Sequence, residues 1–196
     1  KVRDALKKCE GLPIKMVCPS HGPIRRSSGQ FAIESYARWC AAPSETGKPK
    51  ALMAVLSSHG NTRDMAKVIE TELFAQGLDV TTFGLSDMRD DDYRDALEQA
   101  DVLLIGSPTI QRDAPPHVWH ALSLISSVTP KAKLGAVFGS FGWSGEAVKM
   151  IEQRLTGLKY KLVTDGISFR FTPTKENMDS CRKFAEQVAN AVLCEE

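Results

Sequence analysis

Ala51-Leu-Met-Ala-Val-Leu-Ser-Ser-His-Gly-Asn-Thr62 is the stretch whose reading decides the fold. Its first half, residues 51–56, is a continuous apolar run, the pattern of a strand buried on both faces. Its second half is a hydroxyl-rich turn that opens a helix. Met65, Ile69 and Leu73 follow at helical spacing as far as Gln76, and Gly77 is the stop. Buried strand, short turn and amphipathic helix make the repeating unit of a parallel sheet.

The same alternation continues downstream. Residues 78–83 read as a second strand, and Tyr93, Leu97 and Ala100 mark a short helix. A third strand covers 101–105 and is ended by Gly106-Ser-Pro108. Pro115-Pro116 opens a helix to about Ile125, since proline is tolerated in a first turn. A fourth strand is expected over 133–138, a helix over 144–155, a fifth strand with its lead-in over 160–171 and a closing helix over 174–193. The reading is an α/β fold, a doubly wound five-stranded parallel sheet with helices on both faces.

Upstream the pattern differs. Residues 1–30 read as the C-terminal remnant of another domain, with a short extended piece over 12–18 and a turn cluster over 19–23. Residues 31–49 read as a helix followed by the linker Pro43-Ser-Glu-Thr-Gly-Lys-Pro49, and 50–196 as the α/β domain. The chain opens at Lys1 inside a segment that reads as helix, which points to a fragment or a processed product. Charge divides the same way: residues 1–48 carry a balance of +5 and the remainder −4, within a net charge of +1. The basic part lacks the dense Lys/Arg clusters and stacking aromatics of a nucleic-acid site, so no nucleic-acid partner is expected. No apolar run is long enough to span a bilayer, and no membrane association is expected. Five cysteines without a CxxC pair argue for a reducing compartment.

In open α/β sheets ligands bind beyond the carboxyl ends of the strands, which singles out loops 57–62, 107–113 and 140–145. The first carries Ser57, Ser58, His59, Gly60, Asn61 and Thr62. Helix-start N–H groups and hydroxyls there suit a phosphate, and Gly60 permits close approach or a positive φ. The loop is neither a Walker loop nor GxGxxG, and its plainer reading is a helix cap. The second loop offers Pro108, the Thr109 hydroxyl, the apolar face of Ile110, and Gln111. Its plainer reading is a turn that delivers the helix start. The third offers Ser140, Phe141, Gly142, Trp143 and Gly145. Glycines there let a planar ligand approach, and Trp143 can stack on it. Its plainer reading is a hydrophobic loop folded back on itself. Taken together the loops describe an anion, a polar linker and a flat aromatic system, which are the parts of FMN.

Ser57-Ser-His-Gly-Asn-Thr62, Gly106-Ser-Pro-Thr109 and Phe138-Gly-Ser-Phe-Gly-Trp-Ser-Gly-Glu-Ala-Val148 resemble the flavodoxin-like domain of the flavodiiron proteins. Cys18-Pro-Ser-His-Gly-Pro23 resembles the end of that family's metallo-β-lactamase-like diiron domain. Phe169-Arg-Phe-Thr-Pro-Thr174 with Cys181 is most similar to the form found in oxygenic phototrophs. The resemblance implies an FMN that takes electrons from a reduced donor and passes them to a diiron centre. That centre reduces dioxygen to water or nitric oxide to nitrous oxide. It implies NAD(P)H through a flavin reductase domain, or ferredoxin or rubredoxin, as donor. It further implies a homodimer or hetero-oligomer at full length, in the cytoplasm or, for a eukaryotic phototroph, the chloroplast stroma. His21 matches the family's last iron-binding histidine; the other ligands are expected upstream, so no competent metal centre is expected on this chain. His59 and Gln111 depart from the family, which has an aromatic and an asparagine there.

Other tempting groups have plainer readings. His117 and His120 mark a solvated helix face, Cys18 and His21 lack partners for a four-ligand site, Asp90-Asp-Asp92 is a solvated turn, and Ser144 is a helix cap. Two alternative functions remain: a stand-alone NAD(P)H:quinone reductase, and a flavin-free interaction module.

Overall fold

The computed structural model describes residues 2–27, 29–40, 47–128 and 133–194, which fall into two compact units, Lys1–Gly47 and Lys48–Glu196. Of the expected linker, residues 43–46 lie outside the described residues.

The first unit holds α1 (Val2–Cys9) and α2 (Gly29–Trp39). Between them Val17 and Arg25 exchange backbone hydrogen bonds at 3.0 Å, which closes the loop that carries Cys18 and His21.

The second unit is the α/β domain. Its elements are β1 (Lys50–Val55), α3 (Asn61–Ala75), β2 (Asp79–Gly84), α4 (Asp90–Gln99), β3 (Val102–Pro108), α5 (Pro116–Leu124), β4 (Leu134–Phe141), α6 (Glu146–Gly157), β5 (Lys161–Leu162), β6 (Ile167–Arg170) and α7 (Lys175–Leu193). All pairings are parallel, in the order β2-β1-β3-β4-β5, with β6 also on β4. The chain steps from β1 outward to β2 and then returns to place β3 on the other side of β1, so the crevice lies between β1 and β3.

Two cores explain the continuous apolar strands. Leu52 and Ala54 of β1 face Tyr93, Leu97, Val118, Leu122 and Ile151 from α4, α5 and α6. Ala51, Met53 and Val55 face Met65, Ile69 and Leu73 of α3 and Phe184 and Val188 of α7. Alternate residues of one strand are thus buried on opposite faces. No helix among the described residues is long and apolar enough to cross a membrane.

Four local expectations are corrected. β3 does not stop at Ile105 but runs through Gly106-Ser107-Pro108, and β4 runs through Gly139-Ser140-Phe141. The glycines mark close packing, not loop starts. A Cβ on Gly106 would lie 2.5 Å from the Phe138 ring, and one on Gly139 would lie 2.3 Å from the Ser107 carbonyl oxygen. The fifth strand is split into β5 and β6, both on β4. Glu152 stabilises the break: its Oε1 accepts from Gly166 N–H at 2.7 Å, and Lys149 Nζ is 3.1 Å from its other oxygen. Asp90-Asp-Asp92 is not a turn but the first turn of α4, where acidic groups favour the helix dipole and Arg94 pairs with Asp91 at 2.9 Å. Ser144 does not cap α6; Gly145 holds that position and no side chain at it accepts a hydrogen bond.

Candidate functional site

The expected loops meet at the carboxyl edge of the sheet. After β1, Leu56 N–H still pairs with Gly106 carbonyl at 2.9 Å, and the chain then turns at Gly60 into α3. Gly60 has φ 91°, a left-handed conformation that glycine adopts without a Cβ penalty. Asn61 and Thr62 open the helix, so their N–H groups have no intrahelical acceptor, the setting that favours an anion. Ser57 Oγ is spent on capping: it accepts from Arg63 N–H at 3.2 Å. The Arg63 guanidinium folds back over the turn, with its Nη2 3.3 Å from where a Gly60 Cβ would stand.

Thr62 is buried, with its hydroxyl 2.8 Å from the Ser140 hydroxyl. The pair ties α3 to β4 and orients Ser140, which lines the cleft. Thr109 Oγ1 accepts from Ala147 N–H at 3.3 Å, so the second loop caps α6 in place of Ser144. Ile110 and Asp113 exchange backbone hydrogen bonds at 2.9 and 3.0 Å. The turn between them puts Gln111 at φ 52° and Arg112 at φ 64°, the geometry that usually selects Asn-Gly. Asp113 accepts from Trp119 Nε1 at 3.0 Å and from Ala114 N–H at 2.6 Å, and the loops' one carboxylate does not line the cleft described next.

Between these loops lies a cleft of about 400 Å³. Ser58, His59 and Asn61 line it from the first loop, and Pro108, Thr109 and Ile110 from the second. Ser140, Phe141, Gly142 and Trp143 line it from the third, with Trp143 88% exposed. Ser57, Gly60, Thr62, Gln111 and Gly145 do not line it. Ser57 and Thr62 are tied to protein partners, Gln111 sits at the turn apex, and Gly145 makes room for Phe141, whose Cδ1 would be 3.0 Å from a Cβ there. The glycines of the third loop thus leave room for aromatic neighbours, Gly142 for Phe171 and Gly145 for Phe141.

Sequence reasoning missed Phe171, which lines the cleft from the end of β6. It also missed two cations beside the loops, Arg63 over the Gly60 turn and Arg170 on the Gly142 carbonyl. Phe171 stands in a Phe-Arg-Phe run that reads as plain strand, yet it lies just beyond β6 at φ 59°, with its N–H on the Phe141 carbonyl. His21 lies in the first unit, exposed, and among the described residues no three His, Cys, Asp or Glu side chains gather to hold a metal. His117 and His120 are exposed on α5, with His120 Nε2 2.9 Å from Asp90 Oδ1.

A family model for flavodoxin matches residues 55–184. A diflavin flavoprotein A of Synechocystis is 35% identical over 182 residues, covering 92% of this chain and 30% of the relative. A nitric oxide reductase of Moorella thermoacetica is 35% identical over 190 residues, covering 96% and 47%. Among solved structures, the rubredoxin oxygen:oxidoreductase of Desulfovibrio gigas superposes with a TM-score of 0.78 at 26% identity, over 98% of this chain and 48% of that one. The Flv1 flavodiiron core of Synechocystis gives 0.72 at 30% identity, over 100% and 48%. The chain therefore spans less than half the length of these relatives. By its strand order, its cleft and these matches, the chain belongs to the flavodoxin family, and its α/β domain is the flavodoxin-like domain of the flavodiiron proteins.

Proposed function

We propose that the cleft binds FMN and that the domain carries electrons. The observation that carries this reading is the cleft itself: about 400 Å³, within the range of small-ligand sites, at the switch point of the sheet, with an unburied Trp143 at its mouth. The residues fit the group. The first-turn N–H groups of Asn61 and Thr62, with Ser58 and Arg63, would hold the phosphate. Thr109 and Ser140 offer hydroxyls to the polar middle, and Trp143 and Ile110 offer flat and apolar surface to the ring. Bound FMN supplies one- and two-electron carriage. Ile110, Phe141 and Trp143 exclude water from the ring while leaving the cleft mouth open to a partner.

The destination of the electrons in this reading is a diiron centre, to which His21 would contribute one ligand. One exposed imidazole does not hold two irons, so no metal step is assigned to these residues. The likeness to an oxygen:oxidoreductase and to a phototroph flavodiiron core favours dioxygen as the terminal substrate. The likeness to a nitric oxide reductase supports nitric oxide as the second reading. The donor would be NAD(P)H through a flavin reductase domain, as the diflavin relative's name suggests, or rubredoxin or ferredoxin. The assembled protein would be a homodimer or hetero-oligomer, in the cytoplasm or a plastid stroma. The domain boundaries 1–30, 31–49 and 50–196 are part of the same proposal.

Flavin titration tests the reading. The chain is expected to take up FMN, to turn yellow with flavin absorption, and to prefer FMN to riboflavin. A colourless chain that ignores added FMN supports an interaction module instead. Steady NAD(P)H oxidation with quinone by this chain alone supports a quinone reductase.

A further inference from the structure

Phe171 is an exception among the aromatic residues. Its backbone lies at φ 59°, a left-handed conformation that is an outlier for a bulky side chain. Burial does not offset that strain, because the side chain is 57% exposed. What holds it is the third loop. Phe171 N–H donates to the Phe141 carbonyl at 2.7 Å, and its ring edge lies 3.4 Å from where a Gly142 Cβ would stand. The result is an aromatic ring lining the cleft beside Phe141, Gly142 and Trp143.

Arg170 is fixed to the same corner twice. Its Nε donates to the Gly142 carbonyl at 3.0 Å, and its guanidinium lies 4.8 Å from the Phe171 ring centroid. No carboxylate among the described residues pairs with it. Arg170 therefore stands beside Gly142 and Phe171 of the cleft wall with no carboxylate partner among the described residues, while Asp113, the one carboxylate of the three loops, accepts from Trp119 Nε1 and Ala114 N–H.

We propose that the Arg170-Phe171 corner is a further wall of the flavin slot, Phe171 contacting the ring and Arg170 placing a positive charge at its edge that favours the anionic, fully reduced flavin. This rests on the FMN reading above. The step concerned adds one electron to the half-reduced neutral flavin. No bond breaks and no proton moves, so the new negative charge stays on the ring, where a nearby cation stabilises it and water screens it partly.

Wild type, Arg170→Gln, Arg170→Lys and Phe171→Leu are loaded with FMN and titrated with dithionite against reference dyes. Arg170→Gln is expected to bind the fully reduced form about tenfold less tightly relative to the half-reduced form, which lowers the second one-electron midpoint by about 59 mV. Arg170→Lys should recover part of that shift, and 0.5 M salt should shrink the difference between wild type and Arg170→Gln. Phe171→Leu should weaken FMN and riboflavin alike. Failure of wild type to take up FMN would remove the underlying reading. If wild type binds FMN and Arg170→Gln leaves the midpoint unchanged, the charge role is wrong while the flavin site stands. A loss in Arg170→Gln confined to FMN and absent for riboflavin would make Arg170 a phosphate ligand and overturn the proposal.

Discussion

Trp143 is 88% exposed, so truncating it removes almost no buried surface from the folded chain. If its ring is a platform for the flavin, Trp143→Ala weakens FMN binding by about 1–3 kcal/mol, by analogy with stacking of a base on an aromatic. The thermal midpoint of the flavin-free chain should stay where it is. A titration with unchanged affinity removes the stacking role, and a large fall in the flavin-free midpoint shows a structural one. Residue-scale reading of the sequence placed Trp143 outside the core, and its exposure agrees with that. It failed where the backbone decides. Ser57 and Thr62 look alike on paper, yet Ser57 caps Arg63 while Thr62 is buried against Ser140. Nothing local distinguishes them. Phe171 reaches the cleft through a positive φ just beyond β6, which its residue type does not announce.

At the scale of elements, strand existence was legible and strand ends were not. Runs such as residues 102–105 are apolar throughout, because both faces of the sheet are covered. Gly106 and Gly139 read as terminators, because sequence cannot show that their neighbours are the Phe138 ring and the Ser107 carbonyl. The split of the fifth strand was equally hidden. Its support, Glu152, sits mid-helix on α6 and reads as an ordinary surface acid, yet it is only 7% exposed and accepts from Gly166 N–H. Glu152→Ala leaves that N–H without its acceptor and is expected to cost about 1–3 kcal/mol. The measurement is the urea midpoint, with Glu152→Gln as control, since an amide oxygen still accepts. Equal stability of Glu152→Ala and wild type would mean that β5 and β6 need no bridge.

For the whole molecule, the strand order follows from alternation and short crossovers, and the site follows from the order. What alternation does not reveal is how the core responds to pH. Burial pushes the Cys181 thiol up from 9.0 to about 11 and the Tyr160 phenol up from 10.0 to about 12, and burial likewise pushes the Tyr93 phenol upward. Each is an acid that stays neutral in the fold and ionises more readily once unfolded. The unfolded chain therefore binds fewer protons at alkaline pH, and stability falls as pH rises. The contribution is complete below the unfolded values, near 9 for the thiol and 10 for the phenol, and it is lost progressively up to the folded ones. Inside its window each group removes up to about 1.4 kcal/mol per pH unit. Urea midpoints followed by circular dichroism should thus be level from pH 7 to near 9 and decline above. Between pH 9 and 10 the decline belongs mainly to Cys181, which packs against α3 and the sheet in the α7 core, so Cys181→Ala should delay its onset toward pH 10. An identical onset in that variant would place the alkaline sensitivity elsewhere, and a level profile through pH 11 would show that these groups are solvated in the folded protein.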